Sequence, residues 1–269
     1  MVRRALTIPA ATTTFRSMRT LLTGLTVAVM TILLAPVAVA AHVLGIYPEE
    51  RRVQQWCMRT WARAICRAAG VRIVLHGSVH RELPRGTVYA SNHVSWFDIF
   101  TLASVLPHYT FVAKAELRRI PIFGWGAEGA GVVFLSRDNR KSAFEAYESV
   151  AKEIAAGRCV VVCPEGTRGT DYHLRPFKKG PFVLAIAAQA PIVPTLVYGA
   201  REVMGKGSWR VRPGTVHVHL LPPVETTGLD YDQRHELMRR VWSRMADAMR
   251  AEYGVGTAEQ AIASNDMVA

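Results

Sequence analysis

From Thr20 to Pro48 the chain carries no Asp, Glu, Lys or Arg. The run exceeds the roughly 20 apolar residues needed to cross a hydrocarbon core, so this part of the chain is expected to enter lipid. Both flanks are basic: Arg3, Arg4, Arg16 and Arg19 precede the run, and Arg51, Arg52, Arg59, Arg63 and Arg67 follow it. A single span concentrates Lys and Arg on its cytoplasmic side, whereas a hairpin entering and leaving by one face is basic at both ends. Pro36 offers a bend for the hairpin or a kink within a single span, and both forms stay open. A third reading is a cleaved signal peptide, because Ala38-Val39-Ala40 has the small-residue pattern of a cleavage site, but the apolar run continues past it to Tyr47.

The rest of the chain has the composition of a folded domain. Half of its 269 residues are hydrophobic and 20% are charged, which is too apolar for disorder and too polar for a polytopic membrane protein. Lys and Arg number 33 against 21 Asp and Glu, a net charge of +12 that attracts nucleic acid, anionic membranes or phosphate-bearing substrates alike. Position has to choose among them. The basic residues cluster beside lipid-entering sequence and on no known nucleic-acid reading element, so no nucleic-acid partner is expected. Cys57, Cys66, Cys159 and Cys163 form no CxxC pair and read as free thiols of a reducing compartment.

Residues 1–48 therefore form a basic tail and a membrane-embedded helix or helical hairpin, and residues 49–69 an interfacial amphipathic helix. Its apolar stripe is Val53, Trp56, Cys57, Thr60, Ala64, Ile65 and Ala68, with Arg52, Arg59, Arg63 and Arg67 stacked opposite, either on anionic headgroups or in solvent. Over 70–253 short β-branched runs alternate with helical stretches. VRIVLH, TVYAS, TFVAK, VVFLS, CVVVC, IVPTLV and TVHVHL are the strand candidates. Helices are expected at SWFDIFTLASVL, at RKSAFEAYESVAKEIAAG, and from Asp230 to Tyr253, where Leu237, Val241, Met245 and Met249 recur every four residues. The alternation predicts an α/β fold with a largely parallel central sheet flanked by helices. Residues 254–269 read as a flexible tail.

Three strand ends carry chemistry-bearing residues. TVYAS runs into Asn92-His93-Val94-Ser95-Trp96-Phe97-Asp98. Residues five apart diverge by about 140° on a helix, so His93 and Asp98 meet only if His93 precedes a helix whose first turn holds Asp98, with Ser95 as its cap. His93 would then be a general base for a hydroxyl and Asp98 its orienting acid. In the competing reading Asp98 is merely the acid of a capping box begun by Ser95. CVVVC ends in Pro164-Glu165-Gly166-Thr167-Arg168, where Gly166 permits close backbone approach and Arg168 offers a fork for phosphate oxygens; an ordinary turn with a solvated arginine is the alternative. Lys114 closes TFVAK, and Arg137 follows the next strand candidate.

Taken in order, NHVSWFD, FVAKAELRRIPIFGWGAEGAGVVFLSR, PEGTR and APIVPTLVYG resemble the four blocks of the 1-acylglycerol-3-phosphate O-acyltransferase family of the glycerolipid acyltransferases, over about residues 70–200. The resemblance implies that His93 and Asp98 are the catalytic pair, without a metal, a cofactor or an acyl-enzyme. It implies phosphate recognition by Lys114 and Arg168, with Glu165, Gly166 and Thr167 shaping that site, Arg137 adding charge, and Pro194 lining or supporting the acyl-donor site. The implied reaction moves an acyl chain from acyl-CoA or acyl carrier protein to the sn-2 hydroxyl of lysophosphatidic acid, giving phosphatidic acid, among membrane lipids at the cytoplasmic face of the inner membrane. Arg118-Arg119-Ile120 and the region after Gly199 vary enough to leave another acceptor, such as a lyso-ornithine lipid, open. A non-catalytic anionic-lipid-binding module is the rival of a different class, and it leaves His93 and Asp98 without a task.

Overall fold

The computed structural model describes residues 11–46, 52–81, 83, 86–135 and 140–256. All seven strand candidates form: β1 (Val71–His76), β2 (Val88–Ser91), β3 (Tyr109–Lys114), β4 (Val133–Leu135), β5 (Cys159–Val162), β6 (Ile192–Tyr198) and β7 (Gly214–Leu220). They make one sheet in the order β1-β7-β6-β2-β5-β3-β4. β6, β2, β5, β3 and β4 are mutually parallel, while β7 runs antiparallel to β6 and carries β1 with it. The largely parallel α/β architecture expected from the sequence is the one present.

The central strands are buried on both sides, as parallel sheets must be. Val88, Ala90, Val160, Val162 and Ile192 point to one face, against α5 (Arg140–Ala155), α6 (Gly180–Ala187) and α8 (Arg234–Tyr253). Tyr89, Val161 and Val193 alternate to the other, against α2 (Arg52–Ala69), α3 (Trp96–Val105) and α7 (Ala200–Val203). Leu237, Val241, Met245 and Met249 of α8 are all buried, so their four-residue spacing marked the packed stripe.

α1 (Ala11–Val43) is one unbroken helix that passes through Pro36, so Pro36 does not bend the apolar run into a hairpin of its own. Its residues Met18–Val43 are apolar enough and long enough to cross a membrane. One side of α1 is packed: the Trp61 indole of α2 donates to Thr31 Oγ1 at 3.0 Å, and Ala35, Ala38 and Ala41 are buried. The other side exposes Leu21, Leu22, Leu25, Ile32 and Leu33. α4 (Phe123–Gly129), which has no helical apolar period, packs on α1 through Gly126 and Gly129.

α2 departs from the sequence reading. Trp56 is exposed while Gln54 and Gln55 are buried, and only Cys57 and Ile65 of the expected stripe are fully enclosed. The cause is that α2 is covered on two sides, by α1 and by α3, so no single apolar stripe describes it. The Gln55 side chain completes the start of β3 by bonding the backbone of Tyr109. Nor does the basic face simply point outward. Arg59 donates to Leu106 O at 2.9 Å and Arg63 to Ser104 O at 3.3 Å, placing two guanidinium groups on carbonyls at the carboxyl end of α3.

Candidate active site

The parallel strands β2, β5 and β3 present their carboxyl ends on one edge, where α/β sheets bind ligands. Continuing the β2–β5 and β3–β5 registers past the last paired residues puts Asn92, Pro164 and Lys114 at one level. At about 4.8 Å per strand, Lys114 lies roughly 10 Å across the edge from Asn92. The Asn92 side chain prolongs the pairing of β2 with β6, donating to Val197 O at 3.0 Å and accepting from Val197 N at 2.7 Å. The chain is thereby held until His93, where it turns.

Ser95 adopts an extended conformation and caps α3, its Oγ accepting the Phe97 N–H at 3.1 Å. Asp98, fully buried, sits in the first turn, and its Oδ2 accepts three bonds: from Val94 N at 2.7 Å, from Ser95 N at 2.8 Å and from His93 Nδ1 at 2.9 Å. The capping box and the histidine–aspartate pair, which the sequence posed as alternatives, are one arrangement. The His93 side chain is 16% exposed, and its Nε2 has no partner among the described residues. With Nδ1 committed as donor, Nε2 is left as the lone-pair nitrogen facing out.

The glutamate turn is bolted to the histidine turn. Glu165 Oε1 accepts the His93 backbone N–H at 2.9 Å, and Gly169 N donates back to His93 O at 2.7 Å. Glu165 Oε2 accepts Arg175 Nε at 2.8 Å, and Arg175 also reaches Thr167 O. Both carboxylate oxygens of Glu165 are therefore spent on protein groups, so this residue shapes the site from beneath. Burial, the largest influence, lifts its carboxyl above the ordinary range, while the His93 N–H and Arg175 oppose that lift. Gly166 closes the turn with its N–H on Cys163 O and φ of 76°, in the left-handed region that favours glycine.

Two cations at this edge have no anionic partner among the described residues. Lys114 is exposed at the end of β3, and the Arg168 guanidinium lies 5.0 Å from the ring centroid of Trp96, on the first turn of α3. Thr167, between Glu165 and Arg168 in the chain, is exposed. Cys163 is not a competing nucleophile: burial first, then the charges of Asp98 and Glu165, push its thiol far up, which holds it protonated. Pro194 is buried within β6 beside Ala90, beneath the edge, so it supports the sheet and does not line the surface. Arg137 falls outside the described residues.

Sequence reasoning assigned no structural role to Arg175 and missed Tyr172. The Tyr172 hydroxyl donates to Glu202 at 2.6 Å and accepts from Gly199 N at 2.7 Å, tying the loop after β5 to the end of β6. Neither contact has a local sequence signal, since Glu165–Arg175 lies within an irregular loop at a spacing no helix or strand brings together, and Tyr172–Glu202 joins that loop to α7.

Residues 72–198 match the family model described as Acyltransferase. A crystal structure of the 1-acyl-sn-glycerophosphate (LPA) acyltransferase PlsC from Thermotoga maritima superposes with a TM-score of 0.68 at 25% identity, covering 87% of this chain and 97% of that one. 1-Acyl-sn-glycerol-3-phosphate acyltransferase alpha from Ovis aries is 35% identical over 183 residues, 67% of this chain and 64% of its own. The chain belongs to the 1-acyl-sn-glycerol-3-phosphate acyltransferase family. A lyso-ornithine lipid O-acyltransferase from Rhizobium meliloti is also similar, 32% identical over 177 residues, 66% of this chain and 58% of its own. The chain spans between 40% and 65% of the length of the first curated relatives it matches. The His93–Asp98 pair, the Glu165–Arg168 turn and the Lys114 strand end lie within the matched residues and on one edge of the sheet.

Proposed function

We propose that the protein transfers a fatty acyl chain from an acyl thioester to the sn-2 hydroxyl of 1-acyl-sn-glycerol-3-phosphate. The observation that carries this reading is the His93 ring, fixed by Asp98 through Nδ1, on the same edge as Lys114 and Arg168, two cations with no anionic partner among the described residues. Nε2 takes the acceptor's hydroxyl proton as the oxygen attacks the thioester carbon, and the buried Asp98 carboxylate stabilises the resulting imidazolium. Collapse of the tetrahedral intermediate breaks the C–S bond, and the imidazolium returns the proton to the leaving thiolate of coenzyme A or acyl carrier protein. No residue is acylated. The N–H groups of His93 and Gly166 are already engaged, which leaves those of Thr167 and Arg168 on the same turn to face the oxyanion.

Lys114 and Arg168 bind the acceptor's phosphate, the lysine reaching it along its extended side chain from a strand end roughly 10 Å from Asn92. The exposed stripe of α1 enters the lipid while its packed side holds α2 and α4, so the helix lies along the membrane. The catalytic domain is assigned to the cytoplasmic face of the inner membrane because free thiols and a coenzyme A or acyl carrier protein donor suit that compartment. Purified protein incubated with labelled acyl thioester and a panel of lyso-lipids, with product masses measured, tests the reading. Phosphatidic acid should form and His93→Gln should abolish it. A product from lyso-ornithine lipid alone would replace this acceptor with the one named for the Rhizobium meliloti relative.

A further inference from the structure

Strand alternation puts His217 and His219 of β7 on one face of the sheet, the face that α8 covers. The parallel register with the edge strand β1 sets His76 directly beside His219. Three imidazoles from two neighbouring strands thus share one patch, each offering a ring nitrogen within 4.8 Å of the other two. His76 Nε2 and His217 Nδ1 face each other at 3.0 Å. His76 lies flat on His219, centroids 4.1 Å apart and planes 9° from parallel, and His219 Nε2 meets the Tyr253 hydroxyl of α8 at 2.5 Å. The patch shares no residue with the site around His93, from which β6 separates it.

We propose that His76, His217 and His219 bind a transition-metal ion of borderline softness, zinc above all, which clamps the edge strand β1 to β7, with Tyr253 steadying the His219 ring. Imidazole nitrogens select zinc, cobalt, nickel or copper over calcium and magnesium, which require oxygen ligands. Zinc–nitrogen bonds of about 2.0–2.1 Å in a tetrahedron separate ligand nitrogens by about 3.3 Å, close to the gap already present between His76 and His217. Closing the third ligand onto the ion requires one of the stacked rings to turn about its Cβ–Cγ bond, a broad torsion. A hydroxyl bonded to a ligating histidine is the kind of outer partner that fixes ring orientation in such sites, and Glu252 acts electrostatically on His219 as a nearby counter-charge. An edge strand paired on one side only gains most from such a clamp, because it has a single row of backbone bonds to hold it.

The test uses the full chain in detergent, freed of any affinity tag, stripped with chelator and exchanged into zinc or cobalt(II). The expected result is about one zinc per chain after desalting, a tetrahedral cobalt(II) absorption spectrum, and a higher unfolding temperature with zinc than without it. The His76→Asn/His217→Asn double variant should bind at least ~100-fold more weakly, while His108→Asn, at an exposed histidine with φ of 40° that Asn accommodates, should bind as the parent does. If the double variant does not fold, His217→Asn alone should alter or remove the cobalt spectrum. Substoichiometric metal in the parent chain, a zinc-independent unfolding temperature, or unchanged binding in the variants overturns the proposal and leaves the stack as a hydrogen-bonded feature only.

Discussion

One oxygen of Asp98 holds both the His93 ring, at 2.9 Å, and the backbone of the turn that carries it, through Val94 N and Ser95 N at 2.7 and 2.8 Å. Ring orientation and helix capping are therefore a single interaction, and truncation of the side chain at 98 removes both. Asp98→Asn should lower kcat by roughly 10³–10⁴-fold, through loss of ring tautomer and imidazolium stabilisation. It should also cost about 1–2 kcal/mol of stability through the cap. His93→Gln should match the loss of rate with little loss of stability. Single-turnover acyl transfer and chemical denaturation of the same preparations separate the two effects.

Arg175 acts at one remove, through Glu165 to the His93 backbone. Arg175→Ala leaves the buried Glu165 carboxylate short of its cationic partner and loosens the turn without touching either substrate. The expected signature is a fall in kcat of roughly 10- to 100-fold, the scale of a displaced reacting group, with KM for the acceptor nearly unchanged. A KM-dominated effect would instead place Arg175 on the phosphate.

Lys114 and Arg168 carry the opposite signature. Arg168→Ala and Lys114→Ala should each raise KM for lysophosphatidic acid by about 10- to 100-fold, the loss of a charge-assisted hydrogen bond of roughly 1.5–3 kcal/mol. Competition between lysophosphatidic acid and a phosphate-free lyso-lipid measures the effect as a ratio. Discrimination should fall in both variants, and an unchanged ratio would remove these residues from headgroup recognition.

What the sequence disclosed and what it hid follow from the range of the interactions. The seven strands were legible because each is a β-branched run closed by turn residues, and α8 because Leu237, Val241, Met245 and Met249 all pack on one side. The His93–Asp98 pair was legible as one of two local readings of a five-residue spacing around a capping serine, and the family resemblance chose it. The Glu165–His93 bolt was not, since it joins two turns brought together only by the β2–β5 pairing. The orientation of α2 was hidden because a helix covered on two sides buries Gln54 and Gln55 as readily as Cys57. The histidine patch was hidden because β1 pairs with the last strand of the sheet, and no periodicity within 71–76 or 214–220 reveals that partnership.

Burial, reinforced by the neighbouring His76, depresses His219 from 6.5 to about 4 in the folded chain. The unfolded chain therefore binds one more proton than the folded chain between those values. The stability associated with a neutral His219 is complete above pH 6.5 and is lost as pH falls through about 4. In chelator-stripped protein, His219→Gln should flatten the acid limb of the unfolding free energy by up to about 1.4 kcal/mol per pH unit in that window. Denaturant midpoints measured at intervals across it give the slope directly, and identical slopes would mean that the ring is protonated in the native state.

The contact of α1 with α4 depends on the absence of side chains at two positions. A Cβ at Gly126 would come within 2.4 Å of Ala35 Cβ, and one at Gly129 within 2.9 Å of the Val39 backbone. Such distances cannot be relieved by a rotamer change, because the atoms met are backbone or the first carbon of a side chain. Gly126→Val should therefore cost about 1–3 kcal/mol and force the two helices apart. Trp61, which donates to Thr31 of α1, reports the separation through its fluorescence, and vesicle flotation shows whether the detached helix still holds the domain to lipid. Retention of the parent's unfolding temperature and Trp61 emission would mean that α1 is not packed on α4 in the native protein, and that the catalytic domain does not need that contact to fold.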